Sequence, residues 1–270
     1  MSVAYSKVTE WRRGSPTVVS GALLDVADVR VRYGGVEAVG GASLRIVEPQ
    51  VVGLIGPNGA GKSSLLAAIG GQAPIAAGTV TLGEHDVTKL PAHKRARLGI
   101  VRTFQTASVF DRLTVFENLL VAGVGYPGAA LGRAVTGGAR AKAAADAARA
   151  DAVRVLDELD LRSMSDNYGS ELSGGQRRLV EIARCLMCAP KLLLLDEPMV
   201  GVAPHLVRRI GETCLRIRES GVAIIIVEHA LEVIEAFCDR VVVMAASEVI
   251  DDGKYDDVMR NGSVRDAYLA

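Results

Sequence analysis

Residues 51–64 read VVGLIGPNGAGKSS. The first five form a short apolar run of the kind found in strands buried on both faces, and the following SLLAAIG is apolar at helical spacing. Between them Gly56-Pro57-Asn58-Gly59-Ala60-Gly61-Lys62-Ser63 fits the pattern GxxxxGK[ST], placed where a strand turns into a helix. Glycines let backbone N–H groups face inward around an anion, and the helix start adds its positive end. The pattern predicts a phosphate-binding loop, in which Lys62 would neutralise the β and γ phosphates of a nucleotide and Ser63 would ligate magnesium. The candidate nucleotide-contacting run is Gly56, Pro57, Asn58, Gly59, Ala60, Gly61, Lys62, Ser63 and Ser64.

Downstream, residues 191–198 read KLLLLDEP, an apolar strand whose end delivers two adjacent carboxylates. Ligands of open α/β sheets bind at such strand ends. Asp196 suits a magnesium ion held through its water shell, and Glu197 suits a base for the water that attacks the γ phosphate. An isolated Asp-Glu pair would equally well cap a following helix, and the phosphate loop tips the reading toward chemistry. LLLLD, VAIIIVE and RVVVMAA are continuous apolar runs separated by helical segments, the pattern of a parallel sheet covered on both faces. The fold class is therefore α/β. Upstream, LLDVADVRVRY, EAV and ASLRIV alternate with glycine turns and predict a small antiparallel sheet, with GTVTLGEHDV as a further hairpin. From about 105 to 170 the character is helical, in ENLLVAG and in the Ala-rich run ARAKAAADAARADAVRVLDELDL. Residues 1–22 show no sustained period and read as a flexible extension.

Lys plus Arg and Asp plus Glu number 31 each in the 270 residues, so no global positive field is present to hold nucleic acid. No apolar run approaches the roughly 20 residues that span a bilayer, so a membrane role would come through a partner. The N-terminal MSVAYSKVTEWRRG lacks an apolar signal core, which makes the cytosol the expected compartment. Cys185 and Cys188 form a CxxC, but they lie in a run apolar at helical spacing and lack two further zinc ligands. Buried, inert thiols are expected.

Leu172-Ser173-Gly174-Gly175-Gln176 directly precedes the helical run RRLVEIARCL. Alone it would pass as an N-cap and turn. Together with the phosphate loop it resembles the signature sequence of the ABC ATPase family, and the resemblance covers nearly the whole chain from about Leu23 onward. It implies a P-loop NTPase of ABC type, a single domain over 23–270 with a mostly parallel sheet core, an antiparallel β subdomain and a helical subdomain inserted at about 105–170. It implies that Ser173, Gly174, Gly175 and Gln176 of one chain close over ATP held by the loop of another. Tyr33 matches the aromatic that stacks on adenine, Gln105 the glutamine that meets magnesium and the attacking water, and His229 the switch histidine at the γ phosphate. The implied catalytic set is Glu197, His229, Gln105 and Lys62, and the metal set Ser63, Gln105 and Asp196. Ala203 departs from the pattern where many members carry an acid, and Ser247-Glu248 where a glycine often makes a late hairpin turn.

VRTFQTASVFDRLTVFENLLVAG, LSGGQRRLVEIARCLMCAPKLLLLDEPMVGVAP and the ending VRDAYLA resemble the ATPase subunits of branched-chain amino acid importers. The lipopolysaccharide-export ATPase and urea and amide importers share much of this pattern. The resemblance implies ATP and Mg2+ as cofactors and, as partners, a second ATPase subunit, identical or paralogous, an integral membrane permease and, indirectly, a solute-binding protein. It places the chain peripherally at the cytoplasmic face of the inner membrane. Phe110 and Phe116 fall in the segment that would meet the permease, although packing within the helical subdomain is their expected role. The alternatives are the ATPase of lipopolysaccharide export, a soluble ABC ATPase acting on DNA or ribosomes, and a nucleotide sensor without catalysis. A single copy of each motif argues against the soluble class, intact Lys62, Asp196, Glu197 and His229 against the sensor. A P-loop kinase would have no use for the signature.

Overall fold

The computed structural model describes residues 21–103, 109–123 and 139–269. Gln105 and most of the N-terminal extension lie outside the described residues. The chain gathers into two compact units: the first takes the chain up to Arg102, Lys191–Glu197 and everything from Cys214, the second Thr103–Pro190 and Pro198–Thr213.

Two sheets build the first unit. The smaller is antiparallel, with β1 (Leu24–Tyr33), β2 (Val36–Ile46), β4 (Ala77–Leu82) and β5 (His85–Asp86) in the order β2-β1-β4-β5. Alternation is plain in β1, where Val29 and Val31 are buried while Arg30 and Arg32 face outward and Arg32 meets Glu37 across the strand pair at 3.0 Å. The larger sheet orders β10 (Glu248–Gly253), β9 (Arg240–Ala245), β3 (Val51–Ile55), β8 (Ala223–Val227), β7 (Leu192–Asp196) and β6 (Ile100–Arg102). All its pairings are parallel except β9 with β10. Every residue of β3, β7 and β8 is buried, as the unbroken apolar runs require of strands covered on both faces. The core joins both sheets through α1 (Lys62–Gly70), whose Leu65, Leu66 and Ile69 cluster with Val29, Ile46 and Ile225.

Arg95, on α2 (Ala92–Leu98), is 1% exposed. Its guanidinium donates to the carbonyls of Ala68 and Ile69 at 2.6 and 2.8 Å, and to those of Leu90 and Thr88 at 2.8 and 2.9 Å. It thereby caps the carbonyl end of α1 with a positive charge. Burial draws this guanidinium below the usual arginine range, with Asp86 opposing the shift. The turn between β9 and β10 lacks glycine, and its two residues take left-handed angles instead, Ala246 at φ 47° and Ser247 at φ 70°. Neighbouring β2 holds it there: Ser247 Oγ donates to the Glu37 carbonyl at 3.0 Å, and the Gly40 N–H donates to the Ser247 carbonyl at 2.7 Å. The first unit also carries α7 (Leu231–Phe237), α8 (Tyr255–Arg260) and α9 (Gly262–Leu269).

The second unit is helical: α3 (Val115–Ala122), α4 (Ala139–Glu158), α5 (Gly174–Leu186) and residues 204–213 of α6 (Pro204–Glu219). Thr114 starts α3 through a capping box with Glu117. Fully buried Asn118 pins the preceding loop, accepting from the Phe110 N–H at 2.8 Å and donating to the carbonyls of Phe110, Leu113 and Thr114. Phe110 keeps 47% of its surface exposed, with the Arg184 guanidinium 4.7 Å from its ring centre, so packing within the helical subdomain, its expected role, covers about half of it. Phe116 is half-buried. Cys185 is buried on α5 and, with Cys188, Cys214 and Cys238, is a free thiol. Burial pushes all four thiols above their ordinary range, Cys185, Cys214 and Cys238 furthest, which makes them poor nucleophiles. Among the described residues no helix is long and apolar enough to cross a membrane.

Candidate functional site

Parallel register brings three strand ends to one edge of the larger sheet: Leu54 of β3 and Asp196 of β7 both pair with Val227 of β8. The chain leaving β3 enters the glycine loop, that leaving β7 passes through Glu197, and that leaving β8 through Glu228 and His229. Ends that lie far apart in sequence therefore meet around one spot.

The loop is pressed against backbone on both sides. Gly56, at φ 142°, faces the Met244 carbonyl and Gly61, at φ 98°, the Ala38 carbonyl, each so closely that a β-carbon would overlap the oxygen. No side chain caps α1, since its N-cap is Gly61, so the amides of its first turn remain available to an anion. Lys62 is 6% exposed, and its Nζ folds back to donate to the carbonyls of Gly56 and Pro57 at 2.8 and 2.9 Å. Burial draws its ammonium below the ordinary lysine pKa, with Glu197 and Asp196 opposing. Ser63 Oγ donates to Asp196 Oδ1 at 3.3 Å.

Asp196 is 2% exposed, and its other oxygen, Oδ2, accepts from Arg102 Nη2 at 2.8 Å. Glu197 stands at φ 48°, a left-handed angle unusual for a residue with a side chain, and its N–H donates to the Val227 carbonyl at 3.0 Å. Its Oε1 lies 2.9 Å from His229 Nε2, and both side chains reach solvent. The structure thus brings together Lys62, Ser63, Asp196, Glu197 and His229. It also adds Arg102, which sequence reading passed over; the only sign was a charge closing the short apolar strand Ile100–Arg102. Tyr33 ends β1 half-exposed.

Ser173 to Gln176 belong to the second unit. Ser173 is the N-cap of α5 in a reciprocal capping box: its Oγ accepts from the Gln176 N–H at 3.4 Å, and Gln176 Oε1 accepts from the Ser173 N–H at 2.8 Å. A β-carbon at Gly175 would collide with Leu206 and Val202 of this chain, whereas at Gly174 it would meet nothing within 4 Å among the described residues. The same unit holds a buried ion pair, Arg178 with Glu181 at 2.5 Å, and Arg178 Nε also donates to the Pro198 carbonyl at 3.2 Å. Ala203 is exposed just ahead of α6.

Comparison with known proteins gives the family. The family model described as ABC transporter matches residues 39–200. A probable branched-chain amino acid transport ATP-binding protein, LivG, of Archaeoglobus fulgidus is 35% identical over 247 residues, 92% of this chain and 95% of its own. The lipopolysaccharide export system ATP-binding protein LptB of Escherichia coli K12 is 34% identical over 248 residues, 92% of this chain and 97% of its own. The crystal structure of the ADP conformation of MJ1267, an ATP-binding cassette of an ABC transporter, superposes with a TM-score of 0.79 at 31% identity, covering 93% of this chain and all of that one. With the family model matched over more than half its length and these relatives over nearly all of it, the chain belongs to the ABC transporter family, as one of its ATP-binding cassettes.

Proposed function

We propose that this cassette hydrolyses ATP with Glu197 as the base, works as a pair of chains, and drives a separate membrane permease that imports branched-chain amino acids. The observation that carries the chemistry is the Glu197–His229 contact of 2.9 Å beside Lys62, Ser63 and Asp196. With Glu197 ionised, His229 donates from Nε2 and fixes the carboxylate at the mouth of the loop. Glu197 then takes a proton from water as the oxygen attacks the γ phosphorus. The bond to the β–γ bridging oxygen breaks, and ADP and phosphate leave. Lys62 swings its ammonium from the loop carbonyls to the phosphate oxygens, exchanging neutral acceptors for charged ones.

Ser63 and Asp196 supply hard oxygen donors side by side, which suits Mg2+. Among the described residues no group of three or more His, Cys, Asp or Glu could hold a metal by itself, so the ion would share its shell with phosphates and water. When bound, Mg2+ neutralises phosphate charge and draws electrons from the scissile bond. Gln105, outside the described residues, is assigned to the same ion and to the attacking water by family resemblance alone. Tyr33 offers its exposed ring to adenine.

Pairing is supported by Gly174, whose missing side chain this chain's own packing does not require. A glycine followed by a helix start is suited to approach by a phosphate held on another chain. The permease partner and the placement at the cytoplasmic face of the membrane are carried over from the family resemblance, with support from relatives named as transport ATP-binding proteins. Branched-chain amino acids are the preferred cargo because LivG of Archaeoglobus fulgidus and BraF of Pseudomonas aeruginosa are named for transport of these at 35% and 33% identity, import being the direction the family resemblance implies; LptB at 34% supports lipopolysaccharide export as the second reading. Co-purification from the native membrane separates them. Recovery with a permease whose vesicles take up leucine on ATP addition supports import, and recovery with lipopolysaccharide-transport components overturns it.

A further inference from the structure

Arg102 takes no part in the chemistry above, yet it makes the closer of the two contacts to Asp196. It closes β6, where the parallel register sets it beside Leu194, two residues before Asp196. Its Nη2 donates to Asp196 Oδ2 at 2.8 Å while Asp196 Oδ1 faces Ser63 Oγ at 3.3 Å, so the two carboxylate oxygens are divided between the arginine and the metal-ligating hydroxyl. A carboxylate turns readily about its last torsion. Holding one oxygen fixes where the other points.

The arginine is itself clamped. Its Nη1 donates to Gln72 Oε1 at 3.4 Å, a β-carbon on Gly70 would stand 3.4 Å from its Cδ, and its side chain is 14% exposed. Its Nε is inaccessible and has no hydrogen-bond partner among the described residues, so this pose is set by Asp196 and Gln72 at the expense of one donor. A guanidinium keeps its charge at any working pH and grips a carboxylate with defined geometry, which an ammonium does not.

We propose that Arg102 is a positioning residue for the metal: it holds Asp196 Oδ2, so that Oδ1 is presented beside Ser63 to the Mg2+ that accompanies ATP, and it stays on Asp196 when the ion binds. The inference rests on the ATPase reading of the site. Its test is binding rather than turnover: the full chain is loaded with a fluorescent ATP analogue in EDTA and titrated with Mg2+, and Mn2+ replaces Mg2+ for an EPR readout of the bound ion. Arg102→Met should leave binding in EDTA within about twofold and raise the half-saturating Mg2+ by about tenfold or more, a loss of ~1.4 kcal/mol in metal binding. Arg102→Lys, with charge but no fork, should recover part of that loss. Gln72→Ala, at an exposed position that does not endanger folding, should shift the half-point the same way by about two- to threefold as the clamp loosens. A folded Arg102→Met chain that needs the same or less Mg2+ overturns the proposal, the latter result marking Arg102 as a competitor of the ion. If that variant fails to fold, an unmoved half-point in Gln72→Ala overturns it. Absence of nucleotide binding by the unmodified chain sinks the ATPase reading, and this inference with it.

Discussion

Glu197 combines a reactive position with a left-handed backbone angle, φ 48°, that costs on the order of 1–3 kcal/mol in a residue with a β-carbon. The angle aims its carboxylate at His229 after the last rung of β7, where a relaxed strand would carry it past the site. Glu197→Gln keeps shape and polarity but removes the base, so phosphate release should fall by on the order of 10²–10⁴-fold. Nucleotide affinity, measured by fluorescence titration, should hold within about threefold, because Lys62 and the loop are untouched. Normal turnover in that variant would show that Glu197 is not the base. His229→Ala should lose turnover by way of a mispositioned Glu197, leaving ATP binding intact in the same titration. At this scale the sequence was most readable where chemistry is local: the glycine loop and the Asp196-Glu197 pair announce themselves over a few consecutive residues. The Arg102–Asp196 contact joins residues 94 positions apart, and no local pattern records it.

Elements in this chain are often fixed by one polar side chain sunk among backbone carbonyls. Arg95 binds four of them and sits at the carbonyl end of the phosphate-loop helix. Arg95→Met would strand several buried acceptors and should lower unfolding free energy by at least about 3 kcal/mol, read as a drop in denaturant midpoint. Asn118 plays the same part for the loop ahead of α3, and Asn118→Ala should cost about 2–4 kcal/mol by the same measure. The opposite sign is expected at the β9–β10 turn, where exposed Ala246 is held at φ 47°. Ala246→Asn, a residue that tolerates that angle, should gain about 0.5 kcal/mol and raise the melting temperature slightly. Periodicity placed α1, α5 and the buried strands β3, β7, β8 and β9, since those patterns arise from burial. It could not find α2 or the three-residue β6, which are too short to repeat, nor foresee that a turn without glycine would be forced into shape by a hydroxyl from Ser247 to the neighbouring strand.

At the scale of the molecule, the sheet edge that carries the candidate site and the helix after Ser173 fall in different units, each assembled from separated stretches of chain. Gly174→Asp, where this chain has open space, should leave the melting temperature of the single chain within about 1 °C, as expected of a surface change. In a Glu197→Gln background that retains ATP, the same change should abolish ATP-dependent dimers seen by light scattering. Dimers that persist would break the link between the signature and pairing. The interleaving has a second consequence, which lies in the order of synthesis. β3 is the middle of the larger sheet, but its neighbours are β8 and β9, and the rung Val51↔Ile224 spans 173 positions (224 − 51). At the ordinary pace of a ribosome that interval is roughly 10–35 s. Throughout it the newborn phosphate loop hangs from an apolar strand with neither edge satisfied, a ready target for chaperones and for its own siblings on a crowded polysome.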